Sequence, residues 1–291
     1  MDVCYLCPRM CGARRNEGEM GYCSSSDTMR IARIALHPFE EPPISGERGS
    51  GTVFFCGCSL GCVFCQNGKI SRCEVEGRPY EPEALAEELL GLEHMGATNI
   101  NFVTGTHFTP KIAEALKLVK NRLNIPVVWN SSGYERVETL RLLEGLVDVY
   151  LPDMKYMSAD LADKYSSAPD YAEYALPAIA EMYRQVGRYS YSEEGTIKRG
   201  VVIRHLVLPS QRKDSIEVLR RIADTVPSQD VLLSLMSQYT PDFAMDTPYK
   251  ELHRRVTRFE YESVLSVACE LGFDGFSQDM RSAVKDYTPS F

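Results

Sequence analysis

Three closely spaced cysteines, Cys58, Cys62 and Cys65, follow a short apolar run that is typical of a β-strand. They place three thiols in one loop, and thiolates bind soft metals and iron–sulfur clusters. A cubane cluster has four irons, so three cysteines leave one iron without a protein ligand. Catalytic metal sites keep such an open position, whereas structural sites are closed. The spacing therefore favours a catalytic cluster. A zinc site completed from elsewhere in the chain and three incidental buried thiols remain as alternatives.

A second group of cysteines lies near the amino terminus and consists of Cys4, Cys7, Cys11 and Cys23. The first 28 or so residues contain few large apolar side chains, so a bound metal is the expected source of their order. Structural zinc and a second iron–sulfur cluster fit four thiols equally well. An unligated tail or a redox dithiol is the alternative. The other three cysteines, Cys56, Cys73 and Cys269, are expected to be buried, inert thiols.

Charge and hydropathy narrow the range of partners. The chain of 291 residues has 32 basic and 40 acidic side chains and a formal net charge of -8, which argues against a general role on nucleic acids or anionic membranes. It has no apolar run of about 18 residues, and Met1 to Cys4 do not begin a signal peptide. We therefore expect a cytoplasmic protein. Because that compartment keeps thiols reduced, its cysteines should be metal ligands rather than disulfides.

Short β-branched and apolar runs alternate with helical periods from Thr52 onward. Six such units predict a parallel sheet with right-handed crossovers, either open and doubly wound or curled into a partial barrel. The predicted strands are Thr52 to Cys56, Asn99 to Val103, Pro126 to Trp129, Val147 to Leu151, Val201 to Leu208 and Val231 to Met236.

Several local signals accompany this pattern. Thr109 and Pro110 predict a helix start with Thr109 as its cap, and Thr257 with Glu260 forms a capping box for the last helix. The period from Pro169 to Gly187 is helical, and Pro177 is expected to kink or divide that helix. Before the first unit, residues 29–36 predict an edge strand. The segment containing His37, Glu40 and Glu41 is expected to be a solvated loop, with a position near the three-cysteine loop as the alternative.

Ligands of parallel α/β sheets bind at the carboxyl ends of the strands, so polar residues should follow each strand. They do so in every unit, at Cys58 to Cys65, Thr104 to His107, Asn130 to Gly133, Asp153 to Lys155, Arg204 and His205, and Ser237 to Thr240. Asp153 and Lys155, two residues apart on an extended segment, point the same way. Arg204 lies inside an apolar strand, where its guanidinium needs an anion, either a ligand carboxylate or a protein carboxylate.

The pattern Cys-x3-Cys-x-aromatic-Cys, with Phe64 as the aromatic residue, resembles the signature of the radical S-adenosylmethionine (SAM) enzymes. The whole chain is similar to a branch related to pyruvate formate-lyase activating enzyme that carries an N-terminal cysteine cluster. The similarity includes Cys4 to Cys23, Glu40 to Gly46, Gly51 to Phe55, the three-cysteine loop, Thr104 to His107 and Leu233 to Pro241.

This resemblance implies a partial (β/α)6 TIM-like barrel over residues 36–291 and a small metal-bound cysteine module over residues 1–35. It implies a [4Fe-4S] cluster on Cys58, Cys62 and Cys65, with SAM on the fourth iron. The residues that match the cofactor-binding loops of the family are Phe64, Thr104, Gly105, Thr106, His107, Asn130, Ser131, Ser132, Asp153, Lys155 and Arg204. In the loop after the second strand, His107 stands where the family usually has an acid.

The implied chemistry is reductive cleavage of SAM to a 5′-deoxyadenosyl radical, which abstracts hydrogen from a substrate. The best expectation for the substrate is a glycine of a partner protein, and a peptide or small metabolite is the alternative. The reaction needs an electron donor such as flavodoxin or ferredoxin. Two other classes stay open: a non-catalytic iron–sulfur protein for electron transfer or sensing, and a zinc-stabilised binding module.

Overall fold

The computed structural model describes residues 3–277. Its regular elements alternate as the sequence predicts. In chain order they are β1 (Met29–His37), α1 (Pro42–Ser45), β2 (Ser50–Phe55), α2 (Gly68–Ser71), β3 (Arg78–Tyr80), α3 (Pro82–His94), β4 (Ile100–Val103), α4 (Thr109–Val119), β5 (Val127–Ser131), α5 (Val137–Leu140), β6 (Val149–Pro152), α6 (Ala159–Ser166), α7 (Tyr171–Val186), β7 (Ser190–Tyr191), β8 (Ile197–Leu206), α8 (Arg212–Thr225), β9 (Leu232–Met236), α9 (Arg258–Glu270) and β10 (Asp274–Ser277).

The strands form one mostly parallel sheet in the order β10-β9-β8-β6-β5-β4-β2-β1-β3. Neighbours from β2 to β10 pair in parallel, whereas β1 pairs antiparallel with both β2 and β3, and β7 is an antiparallel addition to β8. The sheet is open, with β10 at one edge and β3 at the other. All six predicted strands are present, so the predicted α/β class and partial-barrel architecture are confirmed. The parallel strand β10 was not predicted.

The two faces of the sheet have separate hydrophobic clusters. The larger one joins the helices to one face and includes Trp129, Leu219 and Val264. A smaller cluster on the other face consists of Ile44 of α1 with side chains of β5, β6, β8 and β9, among them Val128 and Val202. The short helix α1 therefore packs against the inner face of the half-barrel, where it closes one end of the space between the strands.

Most local predictions are confirmed, and two need correction. The capping box of α9 is present, but α4 begins at Thr109 itself, with Phe108 as the N-cap residue. Of the two outcomes expected at Pro177, division does not occur, because α7 continues through this residue. β1 is one strand in from the edge, because β3 pairs along its outer side. The corrections to β1 and α4 have one cause. Sequence periodicity does not show which residues lie next to a strand or helix.

Residues 3–28, called the N-terminal module below, contain one short 3-10 helix, Arg15–Glu17, and turns. Residues 29–35 of the predicted module belong to β1, which pairs with the sheet. The outer limits of the two predicted domains, residues 1 and 291, lie outside the described residues. Among the helices between residues 3 and 277, none is long and apolar enough to cross a membrane.

Candidate active site

A cavity lies at the carboxyl ends of the parallel strands. Side chains at or just after the ends of β2, β4, β5, β6, β8 and β9 line it, as expected for an α/β sheet. Of the predicted site residues, those in its wall are Cys58, Cys62, Phe64, Cys65, Thr104, Asn130, Ser131, Ser132, Asp153, Lys155 and Arg204. The structure therefore brings together the three cysteines and the polar strand ends that the sequence places up to 146 positions apart.

The loop of residues 58–65, called the cluster loop below, is held by its own backbone and by α6. The Leu60 amide donates to Cys58 Sγ at 3.3 Å, and Ser166 Oγ at the end of α6 donates to Cys62 Sγ at 3.2 Å. Phe64 is buried with its ring edge-on to Tyr165 and Tyr239. The aromatic residue of the motif thus anchors the loop against the barrel and leaves the thiols on the cavity side.

Burial raises the pKa of the Cys58 thiol to about 12, with added repulsion from Cys65 and Cys62. Burial, followed by Cys62, also raises the pKa of Cys65. Three thiolates so close together are unfavourable without a compensating positive charge, which a cationic metal centre would supply. The thiols thus fit a metal cluster.

Within residues 3–277, no three His, Cys, Asp or Glu side chains are grouped as ligands of a single metal ion, either in the cluster loop or among the four cysteines near the amino terminus.

The wall of the cavity also carries a network of charged side chains. Asp153 Oδ2 accepts from Lys155 Nζ at 2.7 Å, and its Oδ1 accepts from Arg204 Nε at 2.9 Å. Arg204 Nη2 donates to Asn130 Oδ1 at 2.6 Å, and Nη1 lies 3.6 Å from Glu40 Oε2. A protein carboxylate is thus a partner of Arg204, which was one of the two predicted options.

These pairs shift the pKa values of their members. Burial opposes ionisation of Asp153, but Arg204 and Lys155 outweigh it and lower the pKa of Asp153. Burial likewise opposes the charge on Lys155, yet Asp153 and the nearby Cys62 raise the pKa of Lys155. Asp153, Lys155 and Arg204 are therefore charged at neutral pH, and Glu40 borders the same network through Arg204.

Glu40 and Glu41 correct the prediction of a solvated loop. The segment between β1 and β2 turns inward, so that Glu40 lines the cavity and accepts from Asn101 Nδ2 at 3.1 Å. Burial raises the pKa of Glu40 despite the neighbouring Arg204. Glu41 is buried and accepts from Ser234 Oγ at 3.1 Å. Two adjacent acids before two prolines gave a signal in the sequence, but only the packing of α1 shows which way they face.

The loop after β4 divides into two parts. Thr104 lines the cavity in a left-handed backbone conformation, φ 61°. Gly105, Thr106 and His107 are absent from the cavity wall. Thr106 Oγ1 donates to Glu135 at 2.7 Å, and His107 is buried with its Nε2 2.8 Å from the Cys56 carbonyl oxygen.

Glu135 was missed by the sequence analysis. This buried carboxylate accepts from Trp129 Nε1 at 3.0 Å and from Ser131 Oγ at 3.0 Å, besides Thr106. The pKa of Glu135 is raised, because burial outweighs the opposing effect of the hydrogen bonds from Trp129, Thr106 and Ser131. Glu135 thus joins the loops after β4 and β5. An acid soon after a strand that contains a buried indole N–H is the signal that could have identified it.

Of the two residues singled out after the sixth predicted strand, only one lines the cavity. Gln238 lines the cavity, but Tyr239 is buried behind it and donates to the Leu252 carbonyl at 2.7 Å.

Cys56 is buried as expected, whereas Cys73 is only partly buried and Cys269 is exposed on α9. Buried thiols were therefore the wrong expectation for Cys73 and Cys269.

The four cysteines of the N-terminal module lie near one another. Cys7 and Cys23 are buried, Cys4 is half-buried and Cys11 is exposed. Burial raises the pKa of Cys7 to about 12, and Cys23, Cys4 and Cys11 add to the shift. A Cβ atom at Gly21 would lie 3.4 Å from Cys11 Sγ and 3.5 Å from Cys23 Sγ, so these sulfurs flank the same glycine.

Comparison with known proteins agrees with this geometry. A protein of Methanocaldococcus jannaschii described as uncharacterised is 31% identical over 280 residues, which cover 93% of this chain and 75% of that protein. The crystal structure of Streptococcus suis SuiB bound to the precursor peptide SuiA superimposes with a TM-score of 0.52 at 13% identity. That match covers 86% of this chain and 51% of SuiB, so the chain spans about half the length of SuiB.

A domain of pyruvate-formate lyase-activating enzyme from Bacteroides vulgatus is also similar in structure, with a TM-score of 0.45 at 13% identity. It covers 62% of this chain and 98% of that domain. At this level the similarity supports no conclusion on activity. The sequence model of the radical SAM superfamily matches residues 52–223, which include the cluster loop and five of the six strand ends of the cavity. This chain belongs to the radical SAM superfamily.

Proposed function

We propose that this protein binds a [4Fe-4S] cluster through Cys58, Cys62 and Cys65, cleaves SAM reductively and abstracts hydrogen from a substrate. The observation that carries the proposal is that the three thiols and the polar ends of the parallel strands line one cavity. When bound, the cluster supplies the electron that breaks the carbon–sulfur bond of SAM and leaves a 5′-deoxyadenosyl radical.

The charged wall suits two groups of SAM. Lys155 and Arg204 can donate to its carboxylate, and Asp153 can offset the charge of its sulfonium. Thr104, Ser131 and Ser132 present short polar side chains to the cavity and are candidates for the ribose hydroxyl groups. Gly105, Thr106 and His107 would act by shaping the turn behind Thr104, because the structure places them outside the cavity wall.

The best candidate for the substrate is a glycine of a partner protein, with a peptide or small metabolite as the alternative. The support is the resemblance of the chain to activating enzymes. Flavodoxin or ferredoxin is the expected class of electron donor. A glycyl-radical signal that appears only when a partner protein is added would support the first substrate, and hydrogen abstraction from a peptide or metabolite without such a signal would support the second.

The N-terminal part of the chain, predicted from the sequence as a module of residues 1–35, is proposed to hold a second metal. The ligands would be Cys4, Cys7, Cys11 and Cys23. Its support is the proximity of these four thiols and the mutual repulsion that their thiolate forms would experience. Zinc and a second iron–sulfur cluster remain the two options. Metal analysis of a variant in which Cys58, Cys62 and Cys65 are all replaced distinguishes these options. A second iron–sulfur cluster would leave iron and sulfide in this variant, whereas a zinc site would leave zinc.

The decisive test is anaerobic reconstitution with iron and sulfide, reduction with dithionite and assay for 5′-deoxyadenosine. We expect Cys58→Ala, Cys62→Ala and Cys65→Ala each to abolish its formation, because each removes one ligand of the cluster. Cys269→Ala is the matched control, since this exposed thiol lies on α9 away from the cavity. Cys4→Ala should mainly reduce solubility. Full SAM cleavage by any of the three cluster-loop variants would refute the ligand assignment. A wild-type protein that holds a cluster but does not cleave SAM would favour an electron-transfer or sensing protein.

A further inference from the structure

The side chain of Arg9 connects the N-terminal module to the cluster loop. Its Nε donates to the Ser59 carbonyl at 2.9 Å, and Nη2 donates to the Leu60 carbonyl at 3.0 Å. Both carbonyls belong to residues between Cys58 and Cys62, in the part of the loop that sets the separation of the two thiols.

The same guanidinium also binds the end of α6. Nη2 donates to the Ser166 carbonyl at 2.8 Å, and Nη1 donates to the Ser167 carbonyl. Ser166 is the residue whose hydroxyl donates to Cys62 Sγ. In the same helix, the Tyr165 carbonyl accepts from the Val63 amide at 2.9 Å. A positive charge is favourable at the carboxyl end of a helix, where carbonyl groups lack internal partners.

The position of Arg9 is fixed from the other side by aromatic rings and by its own backbone. Its guanidinium carbon lies 4.0 Å from the ring centroid of Tyr22 and 5.2 Å from that of Tyr134. Arg9 stands between Cys7 and Cys11, in a turn closed by a hydrogen bond from the Met10 amide to the Cys7 carbonyl at 3.0 Å. The thiols of the module therefore border the turn that presents this side chain.

We infer that Arg9 is a positioning residue of the catalytic site, which fixes the Cys58–Cys62 span and the Ser166 contact of Cys62 from within the N-terminal module. The inference rests on the proposed function and adds a role that the cysteine motif does not specify. Arginine suits it because one planar fork supplies several donors at fixed angles, which a lysine ammonium cannot reproduce. Without Arg9, the carbonyls of Ser59 and Leu60 lose these donors, and the two buried residues between the thiols are free to shift.

The test compares Arg9→Ala, Arg9→Lys and the control Arg14→Ala in the full-length reconstituted protein. Arg14 is in the same module and has the same charge, but it is exposed and pairs with Glu17 and Glu19 rather than with the cluster loop. Three quantities are measured per mole of protein: iron and sulfide content, the change in the electron paramagnetic resonance spectrum of the reduced cluster on addition of SAM, and 5′-deoxyadenosine formation at several SAM concentrations.

We expect Arg9→Ala to bind iron and sulfide, because all its cysteines remain, but to show a weakened spectral response to SAM. Its cleavage rate per cluster should fall roughly tenfold or more, the range found for residues that orient metal ligands. Arg9→Lys should recover part of the rate, and Arg14→Ala should equal the wild type.

Three results would overturn the inference: an unchanged SAM response and rate per cluster in Arg9→Ala, a loss that only follows iron content, or a full wild-type rate in Arg9→Lys. The last comparison decides the matter if Arg9→Ala does not fold. A wild-type protein that forms no 5′-deoxyadenosine would refute the proposed function instead, so the two failures are distinguishable.

Discussion

Burial decides the protonation state of two histidines near the cavity. His107 and His205 are buried, and burial lowers their pKa values to about 3 and about 4. Each has one ring nitrogen at a carbonyl oxygen, 2.8 Å for His107 and Cys56, and 2.6 Å for His205 and Met154. The other ring nitrogen of each is buried without a hydrogen-bond partner. Both side chains are thus neutral donors to the backbone at physiological pH, and His107 carries no charge that would repel a cofactor.

His107→Gln should make the protein less sensitive to mild acid. Between the ordinary histidine pKa near 6.5 and the folded value near 3, the unfolded chain binds a proton that the folded protein does not, so stability falls as pH decreases. This proton uptake costs the wild type about 2 kcal/mol between pH 7 and pH 5. Urea unfolding at the two pH values should show that loss reduced in His107→Gln.

His94→Gln on α3 provides the control, because it makes the same substitution at an exposed position. An identical slope for His107→Gln and the wild type would contradict a buried, neutral His107.

At the scale of elements, α9 is fixed to the sheet by its first turn. Thr257 Oγ1 accepts from the Glu260 amide at 3.2 Å, and Glu260 Oε2 accepts from the Thr257 amide at 2.8 Å. Glu260 Oε1 also accepts from the Ser210 amide at 2.7 Å and from Arg254 at 2.7 Å. The capping box therefore does more than begin a helix, because it joins α9 to the loop that follows β8.

Thr257→Ala should lower the free energy of unfolding by about 1 kcal/mol, since it removes the side-chain acceptor of an N-cap. Chemical denaturation monitored by circular dichroism measures the change. Ser266→Ala on the same helix is the control; this serine is exposed and its hydroxyl donates to Glu270, so its loss should change stability by less than about 0.5 kcal/mol. Equal effects of the two substitutions would argue against the cap.

At the scale of the whole molecule, the N-terminal module is part of the wall behind the site. Besides Arg9, Arg15 Nη1 donates to the His107 carbonyl at 2.6 Å, and Arg136 and Thr139 donate to the carbonyls of Tyr5 and Leu6 at 2.6 and 2.7 Å. The contact is closest at Gly57, where a Cβ atom would lie against Ser25 Oγ and 2.5 Å from the Cys23 carbonyl oxygen. The module and the barrel therefore depend on one another for satisfied backbone groups.

Gly57→Ala should loosen this contact, and Gly61→Ala separates the clash from backbone strain. Both glycines have a left-handed backbone, φ 88° and 76°, but a Cβ atom at Gly61 would meet nothing within 4 Å. Strain alone should cost about 1–2 kcal/mol in each variant. Gly57→Ala should lose more than Gly61→Ala in chemical denaturation, and residues 3–28 should become more sensitive to limited proteolysis. Equal losses and equal proteolysis would show that the module does not depend on close contact at Gly57.

The sequence by itself determined the six strand–helix units, the cluster loop, the capping box and the superfamily, because these depend on local spacing and periodicity. It also placed polar residues at the carboxyl ends of the strands, which parallel pairing brings together. Only the tertiary structure decided which of them face the cavity: Thr104 does, while Thr106 and His107 turn behind it. For the same reason, Glu40 reaches the cavity wall, and Glu135 and Arg9 form hydrogen bonds with the loops around it. Their orientation depends on partners far away in the chain, and pairings across such distances leave no period in the sequence.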